Sequence, residues 1–230
     1  MQVDVTQGSE KWLALRRTKV SATDTSSILG LNPYRSMIEC FWEKTGLSEV
    51  IVNDAMRRGS ELEPLARQMF IDQIKIDVKP AVFISDKYPW MMCSLDGLSN
   101  DHQIAVEIKC GSSAYKTALQ GNIPVYYKIQ MYHQMIVMDI DTMFYQAWDG
   151  KEDHEPIIIQ VDLDHSYISK IISETKKFHD DVINLSIPQP VYEDIWAIEQ
   201  KEWDARLERT WRSINEDNGI TNMFDGFASV

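Results

Sequence analysis

Two acidic residues and one lysine lie close together in the middle of the sequence. Asp96 closes the segment SLD, and Glu107 and Lys109 belong to the later segment VEIK. Side chains alternate between the two faces of a β-strand, so a strand through VEIK places Glu107 and Lys109 on the same face. Residues 99–103 allow a hairpin between the two segments. The spacing therefore predicts that Asp96 comes to lie beside Glu107.

This grouping of charges is typical of a centre that binds metal ions. Two neighbouring carboxylates repel each other, and their burial costs several kcal/mol unless a cation compensates. Carboxylate oxygens suit Mg²⁺ or Mn²⁺, which activate an attacking water, while a second ion about 3.5–4 Å away holds the leaving oxygen. Lys109 adds a compact positive charge beside a reacting phosphate. We therefore predict metal-dependent cleavage of DNA; the alternative is an ordinary surface hairpin.

A third carboxylate, Glu63, lies on the predicted helix that precedes the sheet. If this helix crosses the edge of the sheet, Glu63 reaches the same centre. The competing interpretation is a solvated helix face, on which Glu63 pairs with Arg67 four residues later.

The predicted elements follow the order of one α/β or α+β layer. Helices are predicted at residues 8–17, 21–30, 36–45, 53–74, 113–120, 124–138 and 164–185. Strands are predicted at residues 76–85, 90–95, 104–110, 142–148 and 156–162. The first three strands are expected to form an antiparallel meander. This order predicts a central mixed β-sheet that is flanked by helices.

Local signals fix several boundaries of these elements. Ser9 and Ser36 are expected to cap helices, and Gly46 is expected to end one. Pro64 falls inside the predicted helix 53–74, which indicates a bend or an internal restart. Asp96 is followed by glycine, so we expect Asp96 in the turn that ends its strand.

Composition excludes several classes of protein. The chain has 230 residues, 44% of them hydrophobic, and a formal net charge of -12. The charge argues against a broad basic surface for nucleic acid, but not against a local grip on DNA. Three cysteines without close spacing argue against a disulfide framework or a zinc site. The N-terminus has no signal-peptide pattern, and no apolar run reaches the ~18 residues of a membrane span, so we expect a cytoplasmic protein without membrane contact.

The sequence divides near a proline-rich break at residues 187–190. Residues 1–190 are predicted to form the compact domain, and residues 191–230 an acidic helical extension with a weakly ordered tail. Trp196, Trp203 and Trp211 recur at helical spacing in this extension. Two interpretations stay open: packing back onto the compact domain, and a docking helix for a partner protein.

Seven sequence blocks carry a family resemblance. The blocks are QGSE-x-W-x3-R at residues 7–16, SAT at 21–23, GLNPY at 30–34, RGSELEP at 58–64, SLDGL at 94–98, VEIKC at 106–110 and Y-x2-Q-x3-QM at 127–135. In this order and spacing, roughly residues 6–165 resemble the YqaJ-like viral recombinase family. That family includes the lambda-type phage exonucleases and belongs to the PD-(D/E)XK nuclease superfamily. The resemblance implies a restriction-endonuclease-like core.

The resemblance also implies an activity and partners. Such enzymes are Mg²⁺-dependent 5′→3′ exonucleases that act on linear double-stranded DNA, with two ions expected and Mn²⁺ as a substitute. They leave a 3′ single strand for a single-strand annealing recombinase of the phage. Lambda-type members form a homo-trimer ring around DNA, which reconciles an acidic exterior with a basic channel. A bacterial host cytoplasm is the implied location.

Residue roles follow from the matched positions. The resemblance gives Asp96 and Glu107 to the metal ions, assisted by the backbone carbonyl of Ile108. Lys109 would activate the attacking water. Glu63 would be the helix-borne acid near the second ion. For one further residue, Gln130, the resemblance implies a place at the active centre; a solvent-facing polar residue on its helix is the alternative.

The resemblance assigns the terminal 5′-phosphate to Arg16. Thr23 stands where the family usually has serine, and it keeps a hydroxyl for the same phosphate. Arg17 is predicted to join this 5′-phosphate site as a local positive charge, with an ordinary solubilising role as the alternative. The chain departs from the superfamily signature at Leu95, where proline is usual, and at Gly111, where proline is frequent.

Two other functions remain open from the sequence. One is a PD-(D/E)XK endonuclease of restriction or repair, which would cut circular DNA as well as linear DNA. The other is a catalytically silent module that binds DNA ends or a protein. A silent module is typically missing an acid or the lysine, whereas Asp96, Glu107 and Lys109 are all present.

Overall fold

The computed structural model describes residues 1–49 and 52–188. The helices are α1 (Glu10–Thr18), α2 (Ala22–Ile28), α3 (Met37–Thr45), α4 (Asp54–Ile74), α5 (Ser112–Ala118), α6 (Val125–Met138) and α7 (Ile168–Asn184), the last preceded by a 3₁₀ turn at His165–Tyr167. The strands are β1 (Val20–Ser21), β2 (Val78–Ile84), β3 (Met91–Ser99), β4 (Ala105–Cys110), β5 (Thr142–Trp148) and β6 (Ile157–Asp162). The predicted extension at residues 191–230 lies outside the described residues, so the division at residue 190 stays a prediction.

All six strands belong to one mixed sheet, as predicted. Its order is β1-β3-β4-β5-β6, and β2 pairs with β3 beside this path. The meander β2-β3-β4 is antiparallel, β4 and β5 are parallel, and β6 returns antiparallel to β5. The two-residue strand β1, which was not predicted, runs parallel to the start of β3.

Helices cover both faces of the sheet. On one face, α4 buries Ala66 and Phe70 against Val106, Ile108 and their neighbours. On the other face, apolar side chains of α6 such as Ile129 share one hydrophobic cluster with Ala105 of β4 and with Tyr145 and Ala147 of β5. Each fully buried side chain of Leu, Ile or Phe stabilises the fold by about 1.5–3 kcal/mol, so the two faces together hold the sheet in place.

The predicted helix ends are confirmed where local chemistry decides them. Ser9 accepts a hydrogen bond from the Trp12 amide, and Ser36 forms a capping box with Glu39. Gly46 ends α3 in the left-handed conformation, with φ of 77°. These ends need no long-range contact, because each side chain satisfies a backbone group within its own turn.

Of the bend or internal restart predicted at Pro64, the restart is wrong, and the bend stays a prediction. One helix runs without interruption from residue 54 to residue 74, with Pro64 inside it. A proline removes a single helical hydrogen bond. Burial of Ala66 and Phe70 on the sheet outweighs this loss.

The predicted turn at Asp96 is also wrong. Strand β3 continues through Asp96 and Gly97 to Ser99. A Cβ atom on Gly97 would lie only 2.7 Å from side-chain atoms of Val78 and Val106. Glycine is required here because β2, β3 and β4 approach too closely for a side chain, and not because the chain turns.

Within residues 1–49 and 52–188, no helix is long and apolar enough to cross a bilayer. Cys40 and Cys93 are buried as free thiols, and Cys110 is a partly buried free thiol. The free thiols agree with the prediction that this chain has no disulfide framework.

His133 on α6 forms a buried, neutral link between three elements. Its Nδ1 lies 2.6 Å from Oγ1 of Thr25, and its Nε2 lies 3.0 Å from the carbonyl oxygen of Met92. A carbonyl only accepts, so Nε2 carries the proton and the Thr25 hydroxyl donates to Nδ1. Burial lowers the pKa of His133 to about 4 and keeps the ring uncharged.

We expect the free energy of unfolding of the His133→Gln variant to fall less on acidification than that of the wild type. The unfolded chain takes up a proton at His133 near its ordinary pKa of 6.5, whereas the folded protein does so only near 4. The neutral His133 ring therefore makes its full contribution to the free energy of unfolding above about pH 6.5. This contribution falls by roughly 3 kcal/mol towards pH 4. Urea unfolding at about pH 7 and about pH 4.5 measures the difference.

The exposed His165 provides the control, because its ring projects from the 3₁₀ turn. His165→Gln should keep the wild-type difference between the two pH values. An equally steep loss of stability in His133→Gln and wild type would contradict the assignment.

Candidate active site

The candidate site lies where β3 and β4 separate. The two strands pair only at Gly97 with Val106 and at Leu98 with Ala105. One residue further, Oδ2 of Asp96 accepts a hydrogen bond of 2.7 Å from the backbone amide of Ile108. The Asp96 carboxylate thus takes the place of the next backbone hydrogen bond between the strands, and β3 and β4 diverge at this point.

Glu107 is the buried centre of the site. It is only 2% exposed, yet it accepts three side-chain hydrogen bonds. The Lys109 ammonium donates to Oε1 at 2.5 Å, and Nε2 of Gln130 donates to the same oxygen at 2.5 Å. Nε2 of Gln134 donates to Oε2 at 2.6 Å. The predicted shared face of Glu107 and Lys109 is confirmed, and the solvent-facing alternative for Gln130 is wrong.

Gln134 is a site residue to which the sequence assigned no role. Besides Glu107, its side-chain amide donates to the carbonyl oxygen of Ser94 at 3.1 Å, so it ties α6 to both β3 and β4. The signal was present in the spacing, because residues four apart on a helix share a face. Gln130 and Gln134 therefore approach Glu107 together.

Glu63 lies close enough to Glu107 and Lys109 for their charges to shift its pKa, and it also forms an ion pair with Arg67. Its Oε1 accepts a hydrogen bond from the guanidinium of Arg67, as the helix-face interpretation predicted. Nε of Arg67 also donates to the backbone carbonyl of Asp96 at 2.5 Å. Arg67 thus links the helix-borne acid to the strand that carries Asp96, and the metal-binding role of Glu63 stays a prediction.

The charges of the site are unevenly compensated. Burial, followed by the charge of Glu107, raises the pKa of Asp96 well above its ordinary value. Burial also raises the pKa of Glu63, and this outweighs the lowering by Arg67. Burial opposes the charge on Lys109, but Glu107 and Asp96 outweigh it and raise the Lys109 pKa. An added cation beside Asp96 and Glu63 would therefore be stabilised.

The donor set fits a hard divalent ion. Asp96, Glu107 and Glu63 offer carboxylate oxygens, the ligands that Mg²⁺ and Mn²⁺ prefer. In the part of the chain described, no three such acidic, cysteine or histidine side chains already form a compact metal-binding group. Lys109 and Arg67 pair with two of the carboxylates instead. The metal-ligand roles of these residues, and of the Ile108 carbonyl, remain predictions.

A second cluster surrounds Arg16 at the start of the chain. Its Nη2 atom donates to Oγ of Ser21 at 3.2 Å and to Oγ1 of Thr23 at 3.0 Å. The guanidinium carbon lies 4.6 Å from the centroid of the Trp12 ring, within cation–π range. Arg17 is exposed, and within the described residues no hydrogen bond or ion pair joins it to this cluster. The structure thus brings Arg16 and Thr23 together but not Arg17.

The Arg16 cluster is held by Asp24, which the sequence analysis missed. Asp24 is 1% exposed and accepts hydrogen bonds from the amide and hydroxyl of Ser21 at 2.8 and 2.6 Å. Lys44 and Arg35 approach it at 2.6 and 2.8 Å. Burial raises the Asp24 pKa, but these cations reverse the effect and hold the pKa well below its usual range. Asp24 lies inside a helix next to hydroxyl residues, and no local pattern distinguishes it from a capping acid.

The two clusters are connected through Ser94 on β3. Nε1 of Trp12 donates to Oγ of Ser94 at 2.9 Å, and the guanidinium of Arg16 lies over the ring of the same tryptophan. The backbone carbonyl of Ser94 accepts from Gln134, which also holds Glu107. A series of side-chain contacts through Trp12, Ser94 and Gln134 therefore connects the Arg16 cluster with Glu107.

Comparison with protein families identifies a matching sequence pattern. The family model for the YqaJ-like viral recombinase domain matches residues 11–141. The protein YqaJ of Bacillus subtilis is 29% identical over 135 residues, which cover 56% of this chain and 42% of YqaJ. One protein of African swine fever virus is 45% identical over 49 residues, or 21% of this chain and 14% of the viral protein. The chain therefore spans less than half the length of these curated relatives.

Solved structures share the fold. An alkaline exonuclease, LHK-Exo, from Laribacter hongkongensis has a TM-score of 0.67 and 24% identity, over 86% of this chain and 100% of that one. The same enzyme in complex with dAMP has a TM-score of 0.68 and 24% identity, over 77% and 94%. A phage-related exonuclease from Haemophilus somnus has a TM-score of 0.54 and 16% identity, over 73% and 96%. The mixed sheet flanked by helices is thus the PD-(D/E)XK fold, as predicted.

We expect the Gln134→Ala variant to weaken binding of Mn²⁺ by about 10- to 100-fold, because the amide that orients Glu107 is lost. Isothermal titration with Mn²⁺ measures the effect. Gln146→Ala is the matched control: it too is a fully buried glutamine, but its amide donates to the carbonyl oxygen of Ala66 at 2.6 Å. Equal losses of affinity in the two variants would contradict a positioning role for Gln134.

Proposed function

This chain belongs to the YqaJ-like viral recombinase family, and on that premise we propose that it is a metal-dependent exodeoxyribonuclease. The proposed reaction degrades one strand of linear double-stranded DNA from 5′ to 3′. The products are nucleotides and a 3′ single-stranded overhang. Family membership supports a nuclease, and the structural relative LHK-Exo, an alkaline exonuclease, agrees with it.

One observation carries this proposal: side-chain contacts connect the acidic centre with the Arg16 cluster. Trp12 and Ser94 join the guanidinium to the strand that bears Asp96. A planar guanidinium flanked by hydroxyl groups suits a terminal phosphate, since both offer hydrogen bonds to its oxygens. An enzyme that holds the terminal 5′-phosphate beside its carboxylates removes nucleotides from that end. This supports an exonuclease over the endonuclease alternative.

Two Mg²⁺ ions are the proposed cofactors, with Mn²⁺ as a substitute. Asp96, Glu107, Glu63 and the carbonyl of Ile108 would hold them, with Gln130 at the centre beside Glu107. When bound, such ions supply Lewis-acid activation of water and charge stabilisation at phosphorus. Gln130 and Gln134 keep both oxygens of Glu107 in fixed directions.

Lys109 acts as a fixed ammonium group in this proposal. The charges of Glu107 and Asp96 raise its pKa, which favours the ammonium form that donates hydrogen bonds. The ring of Tyr127 lies 4.8 Å from Nζ and limits the directions that the side chain can take. Lys109 can thus orient the attacking water or stabilise the negative charge that develops on the phosphoryl oxygens.

We expect cleavage of linear 5′-phosphorylated duplex in Mg²⁺, and none in EDTA or on covalently closed circles. Asp96→Asn should abolish cleavage, and Lys109→Ala should lower kcat by about 100- to 1000-fold.

Arg16→Ala should lower activity on 5′-phosphorylated ends by roughly 10- to 100-fold, because charge-assisted hydrogen bonds to the phosphate are lost. Gel assays with labelled ends measure all of these rates.

Arg17→Ala is the matched control for the Arg16 pocket, since Arg17 is an exposed neighbour on the same helix. It should cleave 5′-phosphorylated and 5′-hydroxyl ends as the wild type does. Activity in EDTA would refute the metal mechanism, and cutting of closed circles would favour the endonuclease. Equal rates on the two kinds of end in wild type would refute the 5′-phosphate pocket.

We further propose a homo-trimer ring and a single-strand annealing recombinase as partner, both in the cytoplasm of a bacterial host. An acidic outer surface repels DNA, so the net charge of -12 supports a ring in which DNA contacts only the inner surface. The 3′ overhang is the substrate that an annealing protein uses. Sedimentation of the full chain is expected to give three times the monomer mass, and a monomer at working concentration would contradict the ring.

A further inference from the structure

Four tyrosines form a continuous row from the protein surface to the acidic centre. The rings of Tyr34 and Tyr126 meet edge to face, with centroids 5.7 Å apart. Tyr126 and Tyr127 follow at 4.4 Å, and Tyr127 and Tyr145 at 6.1 Å. Tyr145 is fully buried and pairs in register with Glu107 on the neighbouring strand.

The outer end of the row is open to solvent. Tyr34 is 71% exposed, so its ring lies outside the hydrophobic core. Its position is set by the backbone, because its amide donates to Oδ1 of Asn32 at 2.9 Å. The Asn32 side chain is in turn anchored to hydroxyl groups of Ser26 and Ser27. A local turn thus holds a large aromatic ring outside the core.

The inner end of the row lies at the reacting groups. Nζ of Lys109 is 4.8 Å from the Tyr127 ring centroid and 2.5 Å from Oε1 of Glu107. A ligand that contacts Tyr34 and Tyr126 is therefore continuous with the site that would cut the phosphodiester. Packing alone explains Tyr145 and Tyr127, but it does not explain an exposed tyrosine at the end of the row.

We propose that Tyr34, together with Tyr126, stacks on unpaired nucleobases of the DNA strand that enters the active site. This inference rests on the proposed nuclease function and names the part of the substrate that this surface takes. Every nucleobase has a flat π face that stacks on an aromatic side chain, so such a surface binds without sequence preference.

The test separates bases from phosphates. Binding is measured by fluorescence anisotropy in EDTA, on duplexes with a three-nucleotide 5′ overhang that carries either normal bases or abasic sites. We expect Tyr34→Ala to weaken binding of the normal overhang by about 5- to 100-fold. Binding of the abasic overhang should not change, because its backbone charge is the same.

Three further variants complete the experiment. Tyr34→Trp and Tyr34→Phe should bind the normal overhang as the wild type does, since both keep an aromatic ring. Ile183→Ala, which removes a 61% exposed side chain on α7 outside the row, is the control for loss of an exposed apolar group. The thermal midpoint of Tyr34→Ala should match that of the wild type, because this ring lies outside the core.

The proposal is overturned if Tyr34→Ala binds both overhangs as the wild type does, or loses affinity for both equally. It is also overturned if the wild type itself does not distinguish normal from abasic overhangs. Cleavage in Mg²⁺ is measured separately on the same wild-type protein. Absence of cleavage with base-dependent binding would refute the proposed nuclease and leave the stacking surface standing.

Discussion

The buried carboxylate of Glu107 constrains the whole arrangement of the sheet and α6. A charged group that is 2% exposed is tolerated only if hydrogen bonds and opposite charge replace its water. Lys109 supplies the charge from the same strand, and Gln130 and Gln134 supply amides from α6. The helix can therefore take only the position that brings both glutamines to the two oxygens. Because Gln134 also binds β3, the same requirement fixes where the strands separate.

Asp24 and Asp96 show how the surroundings of a carboxylate shift its pKa in opposite directions. Asp24 is enclosed by Lys44, Arg35 and the Ser21 hydroxyl, which lower its pKa despite burial. Its charge is compensated within the protein, so it serves to hold the Arg16 cluster. Asp96 lies beside Glu107 instead, and burial and repulsion raise its pKa. Its charge is under-compensated by the protein, and a cation from solution is the group that such a site favours.

The sequence predicted most of the framework because its signals are local. Strand alternation placed Glu107 and Lys109 on one face, and caps such as Ser36 and Gly46 fixed helix ends within a single turn. Two local rules failed where packing was stronger. Gly97 indicated a turn, but it is the contact point of three strands. Pro64 indicated a bend or an internal restart, but the helix does not restart, because its next turns are buried on the sheet.

By itself, the sequence determined the fold class and the family, and it predicted that Asp96, Glu107 and Lys109 lie together, because residue type and short-range spacing carry that information. Only the tertiary structure decided which other residues join them. Gln134 lies 27 residues from Glu107, and Trp12 lies 82 residues from Ser94. It also showed that Tyr34 is exposed and aligned with Tyr126. Hydrogen bonds and ring contacts between such distant segments depend on how strands and helices pack, and no periodicity along the chain records them.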